Sequence, residues 1–256
     1  CNGASDGSAT ASGSGGTPNY IFLWNDVNAQ TTATATGLSG TTYNVTVTDD
    51  NGCTASASVT VREPSAISAV SQILNEVSCN GGNNGAASLT VTGGTPGYTY
   101  LWDNTQTTSV ATGLSAGIAN CTVTDNAGCQ EVISVTITEP SAISAVASQL
   151  AQVLCNSGST GTATVAATGG TPGYTYLWND NANTTNDTVI NLSAGTYAVT
   201  ITDSNQCTRT ETVVVTEPPV LTAVINLDNN VSCNGGNDGQ ITVTPSGGVG
   251  PYTYLW

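Results

Sequence analysis

Four short aromatic segments that each close on tryptophan impose a period on the chain. Asn19–Trp24 reads NYIFLW, Gly97–Trp102 and Gly173–Trp178 both read GYTYLW, and Pro251–Trp256 reads PYTYLW. The tryptophans stand 78, 76 and 78 residues apart, and Cys1, Cys79, Cys155 and Cys233 each precede one of them by 23 residues. Two residue types that keep the same spacing indicate tandem duplication, so the folding unit is one period rather than all 256 residues. Glu-Pro recurs at Glu63-Pro64, Glu139-Pro140 and Glu217-Pro218. Proline ends ladder pairing and stiffens a connection, so the boundaries fall there. The expected organisation is residues 1–63, a repeat lacking its leading strand; 64–139 and 140–217, two whole repeats; and 218–256, the N-terminal part of a further one. The numbered chain reads as a window on a longer array.

Within a repeat the apolar residues alternate, as in ASLTVTG at Ala87–Gly93 and YAVTITD at Tyr197–Asp203, which is a strand pattern. Threonine supplies 44 residues, and lysine and methionine are absent, so extended backbone is favoured over helix. Over 64–139 the predicted strands are Ala66–Gln72, Glu76–Cys79, Ala87–Val91, Tyr98–Asp103, Ser109–Thr112, Ile118–Thr124 and Glu131–Thr138. Seven short strands predict an all-β, two-sheet sandwich of about 76 to 78 residues, repeated as an extended array. So small a core calls for covalent reinforcement or support from neighbours.

Composition removes several functions. A formal charge of −15 with only Arg62 and Arg209 as basic side chains excludes nucleic acid as a partner, because phosphate binding needs concentrated positive charge. With no histidine there is no His-based triad or His-ligated metal. A glycosidase carboxylate pair fails on scarcity: the second repeat holds only Glu76, Asp103, Asp125, Glu131 and Glu139, mostly at turns or the boundary. The expectation is no catalytic residue and no cofactor. No apolar run reaches transmembrane length, so no direct membrane insertion is expected from this segment.

The cysteines read as a disulfide framework. Reducing the possible pairings to one per repeat predicts Cys1–Cys53, Cys79–Cys129 and Cys155–Cys207, closing 52, 50 and 52 residues. Each bond would restrict the unfolded chain by roughly 4 kcal/mol in the entropic model. Zinc-type CxxC pairs are absent. Cys233 is left unpaired because its matching turn lies beyond Trp256. Cys121 takes the place of Val45 and Val199, facing the core by alternation as a free buried thiol.

Trp24, Trp102, Trp178 and Trp256, with the tyrosines before them, are expected in the core rather than on a sugar-stacking platform, since few other aromatics exist to bury. Gly93-Gly94-Thr95-Pro96 and Gly169-Gly170-Thr171-Pro172 predict tight connections with positive-φ glycines, not phosphate loops. The turns that lead into Cys53, Cys129 and Cys207 carry Asx residues able to bond local amides. Their oxygens make Asp49, Asp125 and Asp203 the calcium candidates, although no twelve-residue EF-hand loop is present.

The ordered signature CNGGNNGAASLTVTGGTPGYTYLWDN, then GLSAGIANCTVTDNAGC, then a strand closing on ITEP, resembles the SprB-type repeat of Bacteroidetes surface proteins. The resemblance covers the whole chain. It implies extracellular immunoglobulin-like domains in very long cell-surface chains, including mobile adhesins used in gliding. Two departures are local: Gly117–Cys121 replaces the Gly-Thr-Tyr segment seen at Gly195–Tyr197, and Asn19 stands in place of Gly97. Three functions follow as expectations. The leading one is a structural stalk or filament segment of an adhesin, with neighbouring repeats of the same chain as its partners. A second is a multivalent module with low-affinity surface or glycan contacts on Asp103–Val110 and Asn179–Val189. A third is a homotypic multi-chain filament, with glycosylation sequons at Asn44, Asn120, Asn183, Asn186 and Asn191.

Overall fold

The computed structural model describes residues 1–256 and contains 19 strands. No helix is long and apolar enough to cross a membrane. The first repeat carries β1 (Gly7–Thr10), β2 (Ile21–Trp24), β3 (Thr34–Leu38), β4 (Thr42–Thr48) and β5 (Thr54–Thr60). The second carries β6 (Ser68–Asn75), β7 (Gly85–Thr92), β8 (Thr99–Trp102), β9 (Val110–Leu114), β10 (Gly117–Thr124) and β11 (Gln130–Ile137). The third carries β12 (Ser144–Ala151), β13 (Gly161–Thr168), β14 (Thr175–Trp178), β15 (Thr188–Leu192), β16 (Gly195–Thr202) and β17 (Thr208–Val215). Residues 218–256 contribute β18 (Thr222–Asn229) and β19 (Gln240–Ser246).

A whole repeat is a sandwich of two three-stranded antiparallel sheets, β6-β7-β9 on β8-β10-β11 and likewise β12-β13-β15 on β14-β16-β17. The first repeat has a two-stranded sheet, β1-β3, against the three-stranded β2-β4-β5. Whole repeats have six strands, not seven. The strand predicted at Glu76–Cys79 is a loop, because β6 must reverse there to pair with β7 in the register Ser68↔Thr92 to Ile73↔Ala87. Gly81 makes that reversal at φ +73°. The local alternation came from Val77, which is buried as an anchor rather than as part of a ladder.

β8 is antiparallel to β10, and β9 is antiparallel to β7. The turn after β10 bonds to the loop after β7 through Asn126 N–H and the Thr95 carbonyl. β8 and β9 therefore run the same way. Together they make a single pass of chain that leaves one sheet at Trp102 and enters the other at Val110. The β6–β7 loop consequently lies at one end of the sandwich and the β10–β11 turn at the other.

Contacts divide the chain into two compact units, Cys1–Glu76 with Asn83–Thr138, and Val77–Gly82 with Glu139–Trp256. In the first unit Trp24 packs with Ala35, Leu38, Tyr43 and Val45, while Trp102, Val123 and Ile137 are fully buried in the second repeat. In the second unit Trp178 packs with Val189, Val199, Ile201 and Val215. The alternation that predicted strands also sorts their faces: Gly85, Ala87 and Leu89 are buried, with half-buried residues between them. Trp256 departs from expectation and is 75 % exposed. Residues 218–256 form only the β18–β19 pair, so the sheet that carries the other three tryptophans has no counterpart there.

Candidate functional site

The disulfides connect different repeats. Cys1 bonds Cys129 in the first compact unit, and Cys79 bonds Cys207 in the second, both at a sequence separation of 128. This corrects the predicted Cys1–Cys53, Cys79–Cys129 and Cys155–Cys207 pairs. The reason is the topology. Cys79 sits in the β6–β7 loop, which Thr138 N–H ties to the end of the sheet where Gly117 meets Ile137 by donating to Glu76. Cys129 follows the far end of β10, about 26 Å away along eight residues at roughly 3.3 Å each. A disulfide requires Cα atoms within about 7 Å. The observed pairs meet that condition, with Cα–Cα distances of 5.4 and 5.7 Å. A loop cysteine thus bonds the turn cysteine of the next repeat, and Cys53, Cys155 and Cys233 remain as exposed thiols.

The loop that carries each donor cysteine is fastened to the Glu-Pro at the end of its own repeat. Asn2 Nδ2 donates to Glu63 and to the Pro64 carbonyl, while Gly3 N–H donates to Glu63 Oε2 at 2.8 Å. In the second compact unit Asn80 and Gly81 hold Glu139 and Pro140 in the same way, at 2.7 to 3.2 Å. Asn156 and Ser157 repeat it on Glu217 and Pro218, at 2.7 to 3.1 Å. The residue after each asparagine adopts positive φ: Gly3, Gly81 and, unusually for a residue with a side chain, Ser157 at +63°. Sequence reading marks Glu-Pro only as an expected boundary and misses this carboxylate clamp, whose signal is the Cys-Asn-Gly or Cys-Asn-Ser triplet.

The receiving turn is built on a buried aspartate. Asp203 accepts N–H groups from Thr171, Asn205 and Cys207 at 2.8 to 2.9 Å. Asp125 does so from Thr95, Ala127 and Cys129, and Asp49 from Thr17, Asn51 and Cys53. The Thr17 and Cys53 amides hold the Asp49 carboxyl below the usual carboxylate range, and the Thr95 amide leads the same effect at Asp125. At Asp203 burial pushes upward, but the Thr171, Cys207 and Asn205 amides together outweigh it. These three were the calcium candidates. Their carboxylates are engaged by amide protons, and no group of three Cys, Asp or Glu side chains gathers around any of them. In the second unit Asn205 Nδ2 also reaches across the joint to the Ser78 carbonyl, at 2.9 Å.

The connection before the aromatic strand completes the receiving end. Gly93 and Gly169 hold φ +75°, as the sequence predicted. A Cβ on Gly93 would lie 1.9 Å from the Ala66 carbonyl oxygen, so only glycine fits. Tyr98 and Tyr174 hydroxyls donate to the Gly93 and Gly169 carbonyls. Trp24, Trp102 and Trp178 are core residues with satisfied indoles: Trp102 Nε1 donates to Thr108 O at 2.9 Å and Trp178 Nε1 to Asn186 O at 3.0 Å. Cys121 is fully buried, and burial pushes its thiol pKa up. Among the sequons, Asn44, Asn183, Asn186 and Asn191 are exposed, whereas Asn120 is half-buried with its amide donating to Asp103.

The site that repeats along this chain is therefore a joint: a disulfide, a carboxylate clamp and an aspartate-capped turn. Among solved structures, 16 % sequence identity and a TM-score of 0.38 relate the chain to a 1.5-MDa bacterial ice-binding adhesin, over 82 % of this chain and 88 % of that one. A tetra-tandem repeat from the extending region of a large adhesion protein shares 11 % identity at a TM-score of 0.26, over 93 % and 83 %. The N-terminal eight immunoglobulin domains of Down syndrome cell adhesion molecule share 12 % at 0.37, over 77 % of this chain and 32 % of that one. No significant sequence match occurs among curated proteins. The family model described as SprB repeat matches residues 1–29, 71–107, 147–183 and 229–256, slightly more than half of the chain, and each match includes a loop cysteine and the tryptophan 23 residues after it. The chain belongs to the SprB repeat family.

Proposed function

We propose that the chain is a length of extracellular stalk, a load-bearing spacer in a bacterial cell-surface adhesin or gliding-type fibre. Family membership supports the location. The observation that carries the mechanical reading is the disulfide between successive repeats, found once in each compact unit at the same sequence separation of 128. A single peptide link is a swivel. Adding a second covalent link, with the Glu-Pro carbonyl and carboxylate clamped by Asn80 and Gly81, removes freedom to twist and bend at the joint. In the entropic model each bond restricts the unfolded chain by about 5 kcal/mol for a loop of 128 residues, although the two loops overlap and the figures do not add. A persistent disulfide belongs to an oxidising compartment, in keeping with a surface location.

The test is electron microscopy of the chain under oxidising and reducing conditions. Particles of narrow end-to-end length that broaden on reduction are expected. A compact globule, or a length distribution indifferent to reduction, would sink the stalk reading.

A further inference from the structure

Three exposed thiols, Cys53, Cys155 and Cys233, have no partner in the chain, and two of them stand in surroundings already built for one. The turn at Cys53 is assembled like the turn that holds bonded Cys207. Asp49 accepts Thr17 and Cys53 N–H at 3.0 and 2.8 Å, against 2.8 and 2.9 Å for Asp203 with Thr171 and Cys207. Asn51 Nδ2 bonds Thr17 Oγ1 at 2.7 Å, as Asn205 bonds Thr171 Oγ1 at 2.9 Å. A crevice lined by Gly16, Tyr20, Asp49 and Cys53 adjoins it, and the corresponding crevices at Cys129 and Cys207 are lined also by the incoming Cys1 and Cys79. At Cys155 the donor loop is set as well, with Asn156 and Ser157 on Glu217 matching Asn80 and Gly81 on Glu139. Both half-sites thus hold bonded geometry without the bond.

We propose that these thiols are half-joints with one polarity. Cys155 and Cys233 accept the cysteine of an Asp-x-x-x-Cys turn from the SprB-type repeat that follows in the array, and Cys53 accepts a Cys-Asn loop cysteine from the repeat that precedes. Bonding proceeds by exchange with an external disulfide oxidant, such as glutathione disulfide or an oxidoreductase. One thiolate attacks the oxidant's disulfide and releases one thiol. The second thiolate then attacks the mixed disulfide and releases the other. One S–S bond forms, two thiol protons are lost, and two electrons reside on the reduced oxidant. The polarity follows from the fold, since the loop and turn cysteines of one repeat lie at opposite ends and cannot serve each other.

The test extends the chain in register by placing a second copy of Asn179–Glu217 after Trp256, the position equivalent to Trp178. The extension supplies the missing second sheet and one turn cysteine, the appended copy of Cys207. After equilibration in a glutathione redox buffer, iodoacetamide labelling and peptide mapping should find Cys155 protected and linked to that appended cysteine, with Cys53 and Cys233 still labelled. A blue shift in tryptophan emission reports that Trp256 has been covered. A Cys155 that remains labelled after that shift, or a bond from Cys233 to the appended cysteine, would overturn the proposal. Disulfide-linked multimers of the unextended chain through Cys155 and Cys53 would assign the partner to a second copy and overturn the in-chain ladder. A second variant needs no extension: in Cys129→Ser, Cys1 and Cys53 should both stay labelled. A Cys1–Cys53 bond would refute the polarity.

Discussion

Pulling the chain by its two ends turns the disulfide map into a length. With both bonds formed, force enters at Cys1, crosses to Cys129, runs backward to Cys79, crosses to Cys207 and leaves at Trp256. That path contains 50 residue steps between Cys79 and Cys129 and 49 from Cys207 to Trp256, hence 99 steps or about 350 Å at roughly 3.5 Å each. The fully reduced chain offers 255 steps, about 890 Å. Total length alone cannot separate this map from bonds kept within each repeat, which leave about 101 steps. Single cysteine variants can. Cys129→Ser leaves only Cys79–Cys207, so the taut path becomes 78 steps to Cys79 plus 49 beyond Cys207. Force spectroscopy should therefore show a contour gain of 28 steps, about 100 Å. Cys53→Ser should change nothing, because that thiol is free. A gain near 50 steps, about 175 Å, for Cys129→Ser, or any gain for Cys53→Ser, would refute the inter-repeat connectivity.

Further outcomes follow from the joints and core. Asp49, Asp125 and Asp203 all have folded-state pKa values below the ordinary carboxylate value, so their contribution is complete above the unfolded pKa of about 3.9 and is lost as pH falls through the lower folded values. Thermal melts should thus be flat from about pH 7 to 5 and decline below about pH 4, and Asp203→Ala should lower the neutral-pH midpoint while weakening that acid dependence. Ser157→Gly relieves a left-handed backbone that its sister positions fill with glycine, and chemical denaturation should show a gain of about 0.5 to 1 kcal/mol. Cys121→Val restores the residue found at Val45 and Val199, so it should shift stability by less than about 1.5 kcal/mol, and the native Cys121 thiol should resist a labelling reagent that modifies Cys53.

Much of this was legible in the residues because strand alternation, glycine at positive φ and tryptophan burial are local or nearest-neighbour effects. Ala87 and Leu89 alternate inward as read, Gly93 holds the turn that its sequence requires, and Cys121 lies in the core where its valine equivalents do. The extra strand at Glu76–Cys79 failed because one buried anchor, Val77, imitates a short ladder.

The period and the all-β character belong to the sequence alone, since repetition and backbone preference are written residue by residue. Which cysteine meets which was decided only by the tertiary structure. Pairing depends on the end of the sandwich at which each loop emerges, and that depends on β8 and β9 sharing one direction as the chain changes sheets at Trp102. No spacing between cysteines encodes that crossing. It arises from the packing of two sheets around a tryptophan, and it turns an apparent lock within each repeat into a bond between repeats.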